Sequence, residues 1–254
     1  MSSFTVVIPA RFASTRLPGK PLADIGGMPM IWHVWQRSLE SGAARVVIAT
    51  DSDEVRDTCE AFGADVRMTS ATHESGTDRI NEVAASLALN DSDIVVNVQG
   101  DEPLMPPENI RQVAELAAVA GTDIATLHVP VESLDAYLDP NVVKLVADER
   151  GRALYFSRAP VPWYRDAPSD SNRLPSMFSG ASRHLGIYAY RVSALRKFAA
   201  AAPCGLELAE KLEQLRALWL GMTIRTAIAA RIPSRGVDTA EDLETVRMEV
   251  AQRD

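Results

Sequence analysis

The sequence predicts a doubly wound α/β sheet, mostly parallel, with a smaller antiparallel insertion. Three observations predict it. Short Val- and Ile-rich runs alternate with amphipathic helical stretches up to about residue 130. The run DIVVNVQGD, 93–101, carries an unbroken apolar core, as strands buried on both faces of a parallel sheet do. Near residue 140 the alternation gives way to strand-like runs joined by turn residues. The expected division is an α/β domain over 1–134 and 196–254, with an insertion over 135–195.

The elements follow in order. Val6, Val7 and Ile8 form an apolar strand, which Pro9 is expected to end because it has no N–H for the ladder. Gly26 and Gly27 mark a turn, and Pro29 suits the first turn of a helix carrying Met30, Ile31, Val34, Trp35 and Leu39. Gly42 stops it. A strand over 45–51, a short helix over 53–62 and a weaker strand over 65–68 come next. The loop 69–79 feeds a helix with Ile80, Val83, Ala84 and Leu87 on one face. After the central strand, a helix over 107–120 and a strand over 124–129 complete the alternation. In the insertion, 142–147 and 153–158 flank the turn residues DERG as a hairpin, and 184–191 is a further strand with alternating aromatics. Such an exposed, aromatic-lined sheet suits a dimer surface. The stretch 206–221 predicts one amphipathic helix, with Leu208, Leu212, Leu215 and Trp219 as its stripe and Glu210, Glu213 and Gln214 opposite. A strand over 224–230 precedes a last helix, whose start fits a capping box from Thr239 to Asp242.

Composition narrows the function. The formal net charge of −8 argues against a nucleic-acid partner. No run approaches a membrane span and no signal segment is read at the N-terminus, so a protein without membrane insertion is expected. Cys59 and Cys204 are the only cysteines; they build no disulfide framework, which suits a reducing cytoplasm.

Against that acidic background the loop RFASTRLPGK stands out. Arg11, Arg16 and Lys20 place three cations within ten positions, among Ala13, Ser14, Thr15 and Gly19. Small residues let backbone N–H groups approach phosphate oxygens, and the cations neutralise them. The Walker motif is excluded, because Pro21 follows Lys20. The ordinary alternative is a solvated basic loop. At the end of the central strand, Asp101 and Glu102 are adjacent carboxylates that could bind magnesium or simply make an acidic turn. Asp238 precedes a helix, where capping is the simpler role. Ser75, Gly76 and Arg79 sit at a helix start, where free N–H groups favour anions, though Ser75 or Thr77 could be a plain cap. His184 opens an apolar strand; its neighbour Arg183 and the distant Arg158 could bind a carboxylate.

The chain resembles the CMP-3-deoxy-D-manno-octulosonate (CMP-KDO) synthetases among the CTP-using sugar nucleotidyltransferases. The resemblance runs through IPARFASTRLPGKPL, ATD, SGTDR, VNVQGDEP, ALYFSRAPVPW, RHLGIYAYR, LEQLRALW and GVDTAEDLE. It implies a Rossmann-like catalytic domain, a dimerising insertion and a homodimer. It implies that Arg11, Arg16 and Lys20 hold the CTP triphosphate and that Ala10, Ser75, Gly76, Arg79 and Gln99 contact the nucleotide. It gives Asp101 and Asp238 to magnesium, in place of capping at Asp238. It assigns Gln99, Arg158, His184, Tyr188, Glu213 and Gln214 to the sugar acid. The implied reaction joins CTP to 3-deoxy-D-manno-octulosonate for the lipopolysaccharide inner core. Another sugar acid, amino-substituted or sialic-acid-like, and a non-catalytic nucleotide-binding regulator are the alternatives. The paired metal carboxylates speak against the regulator.

Overall fold

The computed structural model describes residues 3–12, 17–73, 75–165 and 181–252. Its elements are β1 (Phe4–Ala10), β2 (Asp24–Ile25), β3 (Met28–Pro29), α1 (Met30–Glu40), β4 (Arg45–Thr50), α2 (Asp53–Ala61), β5 (Asp65–Met68), α3 (Gly76–Ser86), β6 (Ile94–Asn97) and α4 (Pro107–Ala118). There follow β7 (Ile124–Pro130), α5 (Leu134–Leu138), β8 (Lys144–Ala147), β9 (Ala153–Ser157), β10 (Ser182–Arg191), α6 (Val192–Ala199), α7 (Gly205–Glu210), α8 (Gln214–Trp219), β11 (Ile224–Ile228) and α9 (Ala240–Ala251). None of the described helices is long and apolar enough to cross a membrane.

The main sheet runs β11-β7-β10-β6-β1-β4-β5. It is parallel except at β10, which is antiparallel to both β6 and β7. Alternate residues of each strand feed two cores. Val6, Ile8, Ile48 and Val96 pack with Ile31, Val34, Ile110 and Val113 on one face. Val7, Val47 and Val95 pack with Ile80, Val83, Leu195 and Leu215 on the other. Helices cover both faces, as the apolar central strand requires. The chain passes from β1 outward to β4 and β5, then returns to β6 on the opposite side of β1. The β1/β6 boundary is therefore the topological switch point, where ligands of such sheets bind.

Four expectations are corrected. Pro9 does not end its strand, since the pairing with β4 continues through Pro9 and Ala10. Val7 accepts from Val98 N–H on the β6 side at 3.2 Å. Pro9 shares that parity, so its missing N–H faces the side where β6 has already ended. Pro29 lies not within the first turn of α1 but at its N-cap, as the last residue of the β2–β3 hairpin. The strand over 184–191, counted with the insertion, extends as β10 into the centre of the main sheet, where Tyr188–Arg191 pair with Asn97–Ile94. Only its start, Ser182 and Arg183, pairs with β8 of the hairpin. Finally, 206–221 is not one helix. It breaks into α7 and α8 at Lys211, which takes a left-handed conformation with φ 53° and ψ 46°. The expected stripe is split: Leu212 and Leu215 are buried in the core, but Leu208 is 54% and Trp219 67% exposed, while Gln214 is only 9% exposed.

Candidate active site

Lys20, the last cation of the basic loop, meets the end of the central strand and the start of α9 at the switch point. Lys20 opens a single 3-10 turn, Lys20–Leu22, after Gly19 in a left-handed conformation. Its Nζ donates to Asp101 Oδ2 at 2.7 Å, to the Val237 carbonyl at 2.7 Å and to Asp238 Oδ1 at 3.3 Å. Asp101 and Asp238, far apart in sequence, thus converge on one ammonium. The Val237 N–H donates to the Asp101 carbonyl at 2.8 Å and locks the two segments together. Gly100 is required here: a Cβ would stand 2.7 Å from the Pro9 carbonyl oxygen. The absence of that Cβ lets the loop bearing Asp101 press against the end of β1.

The cap of α9 is Thr239, not Asp238. Thr239 Oγ1 accepts the Asp242 N–H at 3.2 Å, and Asp242 accepts the N–H groups of Asp238 and Thr239. This leaves the Asp238 carboxylate directed to Lys20. Among the described residues, no three His, Cys, Asp or Glu side chains are grouped to hold a metal by themselves. Asp101 and Asp238 are instead two hard oxygen ligands already sharing one cation. That donor set suits an ion completed by water and phosphate oxygens. Beside them, burial and then the neighbouring Asp101 push the Glu102 carboxyl up to about 8.

Two cavities open at this edge. The outer, of about 470 Å³, is lined by Asp101, Glu102, Asp238, Arg183, His184 and Arg235, among others. The inner, of about 290 Å³, is lined by Gly76, Gln99, Tyr188, Glu213 and Gln214, together with Thr77, Asn97, Tyr190 and Lys211. A bulge in β10 between Leu185 and Tyr188 separates His184 from Tyr188 in register. Their rings remain 5.3 Å apart and bridge the two spaces. Burial, then nearby His128, lowers the His184 pKa to about 3, so its ring is neutral and shares a 2.9 Å hydrogen bond with Thr126 Oγ1. Burial keeps Tyr188 and Tyr190 protonated as O–H donors.

The structure gathers Lys20, Asp101 and Asp238 on one side, and Gly76, Gln99, Tyr188, Glu213 and Gln214 on the other. Ala10 is the buried last residue of β1, and Arg11 is exposed directly after it. Arg16 lies outside the described residues. Ser75 caps α3, accepting from the Asp78 N–H at 3.1 Å. Arg79 is not brought to either cavity. It is fully buried, donating to Asp51 Oδ2 at 2.8 Å and to Thr69 Oγ1. Arg158 is likewise committed, its Nε to the Glu210 carbonyl at 2.6 Å and its NH1 to the Pro140 carbonyl at 2.9 Å. Glu213 and Gln214 do not form a solvated helix face: Glu213 accepts from Thr77 Oγ1 at 2.8 Å, and Gln214 is buried.

Three lining residues escaped the sequence. Asn97 is 2% exposed, and its Oδ1 accepts no hydrogen bond from the described residues. A polar residue inside the VVNVQ run was the signal for it. Tyr190 is marked in the sequence only as one of the alternating aromatics of the 184–191 run. Lys211 gave no signal, because the helical reading hid the break.

Comparison with known proteins follows the same lines. The family described as cytidylyltransferase matches residues 5–224. The 3-deoxy-manno-octulosonate cytidylyltransferase of Thioalkalivibrio sulfidiphilus is 55% identical, over 96% of this chain and 97% of the relative. The protein of the same name from Vibrio parahaemolyticus is 52% identical over 99% of both. A solved structure of CMP:2-keto-3-deoxy-manno-octonic acid synthetase complexed with CTP superposes over the whole of both chains with TM-score 0.89 and 41% identity. A cytidylyltransferase structure from Leptospira borgpetersenii, at 18% identity and TM-score 0.64, shares the fold.

Proposed function

The chain belongs to the cytidylyltransferase family, and from that premise we propose that it activates 3-deoxy-D-manno-octulosonate with CTP, giving the CMP-sugar and pyrophosphate. The observation that carries the reading is the convergence of Lys20, Asp101 and Asp238 beside a cavity lined by Gln99, Tyr188, Glu213 and Gln214.

The anomeric hydroxyl of the sugar acid attacks the α-phosphorus of CTP, the new P–O bond forms as the bond to the bridging oxygen breaks, pyrophosphate leaves with that oxygen, and the hydroxyl proton passes to solvent. Positioning and charge neutralisation supply the catalysis. Arg11, Arg16 and Lys20 meet the triphosphate, with Ala10, Ser75 and Gly76 against the nucleoside. Arg79 acts from behind, bracing Thr69 and Asp51 at the strand ends. In the inner cavity Gln99, Tyr188, Glu213 and Gln214 present donors and acceptors to the hydroxyls of the sugar. His184, neutral, orients Tyr188 by ring contact. Asp101 and Asp238 would hold a magnesium ion, which would supply neutralisation of phosphate charge and a lowered pKa for the attacking hydroxyl.

The exposed Leu154 and Trp163, 51% and 75% accessible, support a homodimer formed through the insertion, which sedimentation would reveal. Both cysteines are buried and unpaired, which supports the cytoplasm as the site of action. The reaction is tested by pyrophosphate release with CTP and a panel of sugar acids, including the 8-amino octulosonate and a sialic acid. Turnover should be fastest with 3-deoxy-D-manno-octulosonate. Preference for another acid, or no release, overturns the assignment.

A further inference from the structure

Lys211, Leu212, Glu213 and Gln214 are consecutive, yet all four line the inner cavity. On a continuous helix four successive side chains fan out at about 100° each, so they cannot share one aim. The break between α7 and α8 is what points them together. It uses a left-handed non-glycine residue, a conformation disfavoured for side chains with a Cβ that persists only where its surroundings enforce it.

Glu207 and Arg216 provide the enforcement. They flank the break, one in α7 and one in α8. Arg216 donates Nε to Glu207 Oε2 at 2.8 Å and NH2 to Glu207 Oε1 at 2.6 Å. Both side chains are only 9% exposed. Arg216 NH1 also donates to the Ala201 carbonyl at 3.0 Å. Its guanidinium lies 4.5 Å from the centre of the Phe198 ring, which itself lines the cavity. Glu207 accepts the Cys204 N–H at 3.3 Å through its side chain and the Lys211 N–H at 2.7 Å through its carbonyl. The pair therefore ties α8, the break and the cavity wall to one point. A buried ion pair is weak evidence for stability, because desolvation offsets its attraction; fixing a register is its better-attested use.

We propose that the Glu207–Arg216 pair is a positioning device for sugar-acid recognition. It sets the angle between α7 and α8, and so holds Glu213 and Gln214 where the sugar acid meets them. Neither member of the pair touches the reacting atoms. The cytidylyltransferase reading supplies the ligand's identity, while the geometry of the break stands independently of it.

Arg216→Lys tests the proposal, since it keeps the charge and loses the two-pronged donor. The KM for the sugar acid should rise about tenfold or more, with the KM for CTP within about twofold. Without substrate, amide exchange at 211–214 should accelerate while β1 and β6 keep their protection. Equal changes in both KM values, or a lowered melt with neither KM changed, would show a merely structural pair and overturn the proposal. So would unchanged exchange at 211–214. If Arg216→Lys does not fold, Glu207→Gln with Arg216→Met provides a neutral pair of similar volume, read by the same criteria. Should the parent enzyme not use the octulosonate, the proposed function fails alone. The exchange result, and the KM for whichever acid the parent turns over, still decide the role of the pair.

Discussion

Lys20 has three acceptors, two of them carboxylates. Removing it takes the cation from the proposed triphosphate site and leaves Asp101 and Asp238 without their shared ammonium. Lys20→Met should lower turnover by about thirtyfold or more, because truncating one partner of a desolvated charge contact costs about 2–5 kcal/mol. The fold should survive, as circular dichroism would show; parent-like turnover would remove Lys20 from the phosphate site. His184 makes a prediction of the opposite kind, about stability. Its folded pKa, about 3, lies below the ordinary 6.5. As pH falls through that window the unfolded chain gains a proton that the folded chain refuses. Stability is therefore intact above the upper value and is lost toward the lower, by up to about 1.4 kcal/mol per pH unit. His128, lowered by burial in the same direction, adds to the slope. Thermal melts of His184→Gln between about pH 4 and 7 should show a shallower acid limb than the parent. An unchanged limb would mean that His184 titrates normally.

At the scale of the element, the start of α9 separates capping from the proposed metal role. Thr239 performs the cap and Asp238 faces Lys20. Thr239→Ala should cost about 1 kcal/mol of stability and leave the proposed magnesium requirement unchanged. Asp238→Asn should do the reverse, melting near the parent and needing much more magnesium. Activity against magnesium concentration, with a melt of each variant, distinguishes the two; a lowered melt with normal magnesium dependence in Asp238→Asn would return Asp238 to capping. The α7–α8 break shows where element-scale reading fails. The spacing of Leu208, Leu212, Leu215 and Trp219 fits a helix well, yet Leu208 and Trp219 are exposed. The buried Glu207–Arg216 pair spans the break between α7 and α8, and no local propensity records a contact of that kind.

For the whole molecule, β10 decides the cooperative unit. Its Tyr188–Arg191 segment lies between β6 and β7, hydrogen-bonded on both sides. Those amides should exchange as slowly as the β1 and β6 amides, with the β8–β9 hairpin opening at lower free energy. If they exchanged with the hairpin instead, the insertion would be a unit of its own. The same strand carries His184 at the outer cavity and Tyr188 at the inner one, so the two sites share a sheet as well as a boundary.

The sequence alone determined the alternation of elements, the cationic loop, the carboxylates after the central strand and the capping box of Thr239 and Asp242. Each of these is written in local composition or short-range spacing, which elementary backbone and side-chain chemistry can read. Tertiary structure decided the rest. Pro9 stays in its strand because its neighbour on one side ends early. Arg79 and Arg158 are withdrawn into partners remote in the chain, Asp51 and Glu210. Lys20 bridges Asp101 and Asp238 across gaps of 81 and 218 positions. Long-range pairings of this kind depend on which strands become neighbours and on which charges lose water together. Neither is a property of any short stretch of chain, so both appear only when the sheet is assembled.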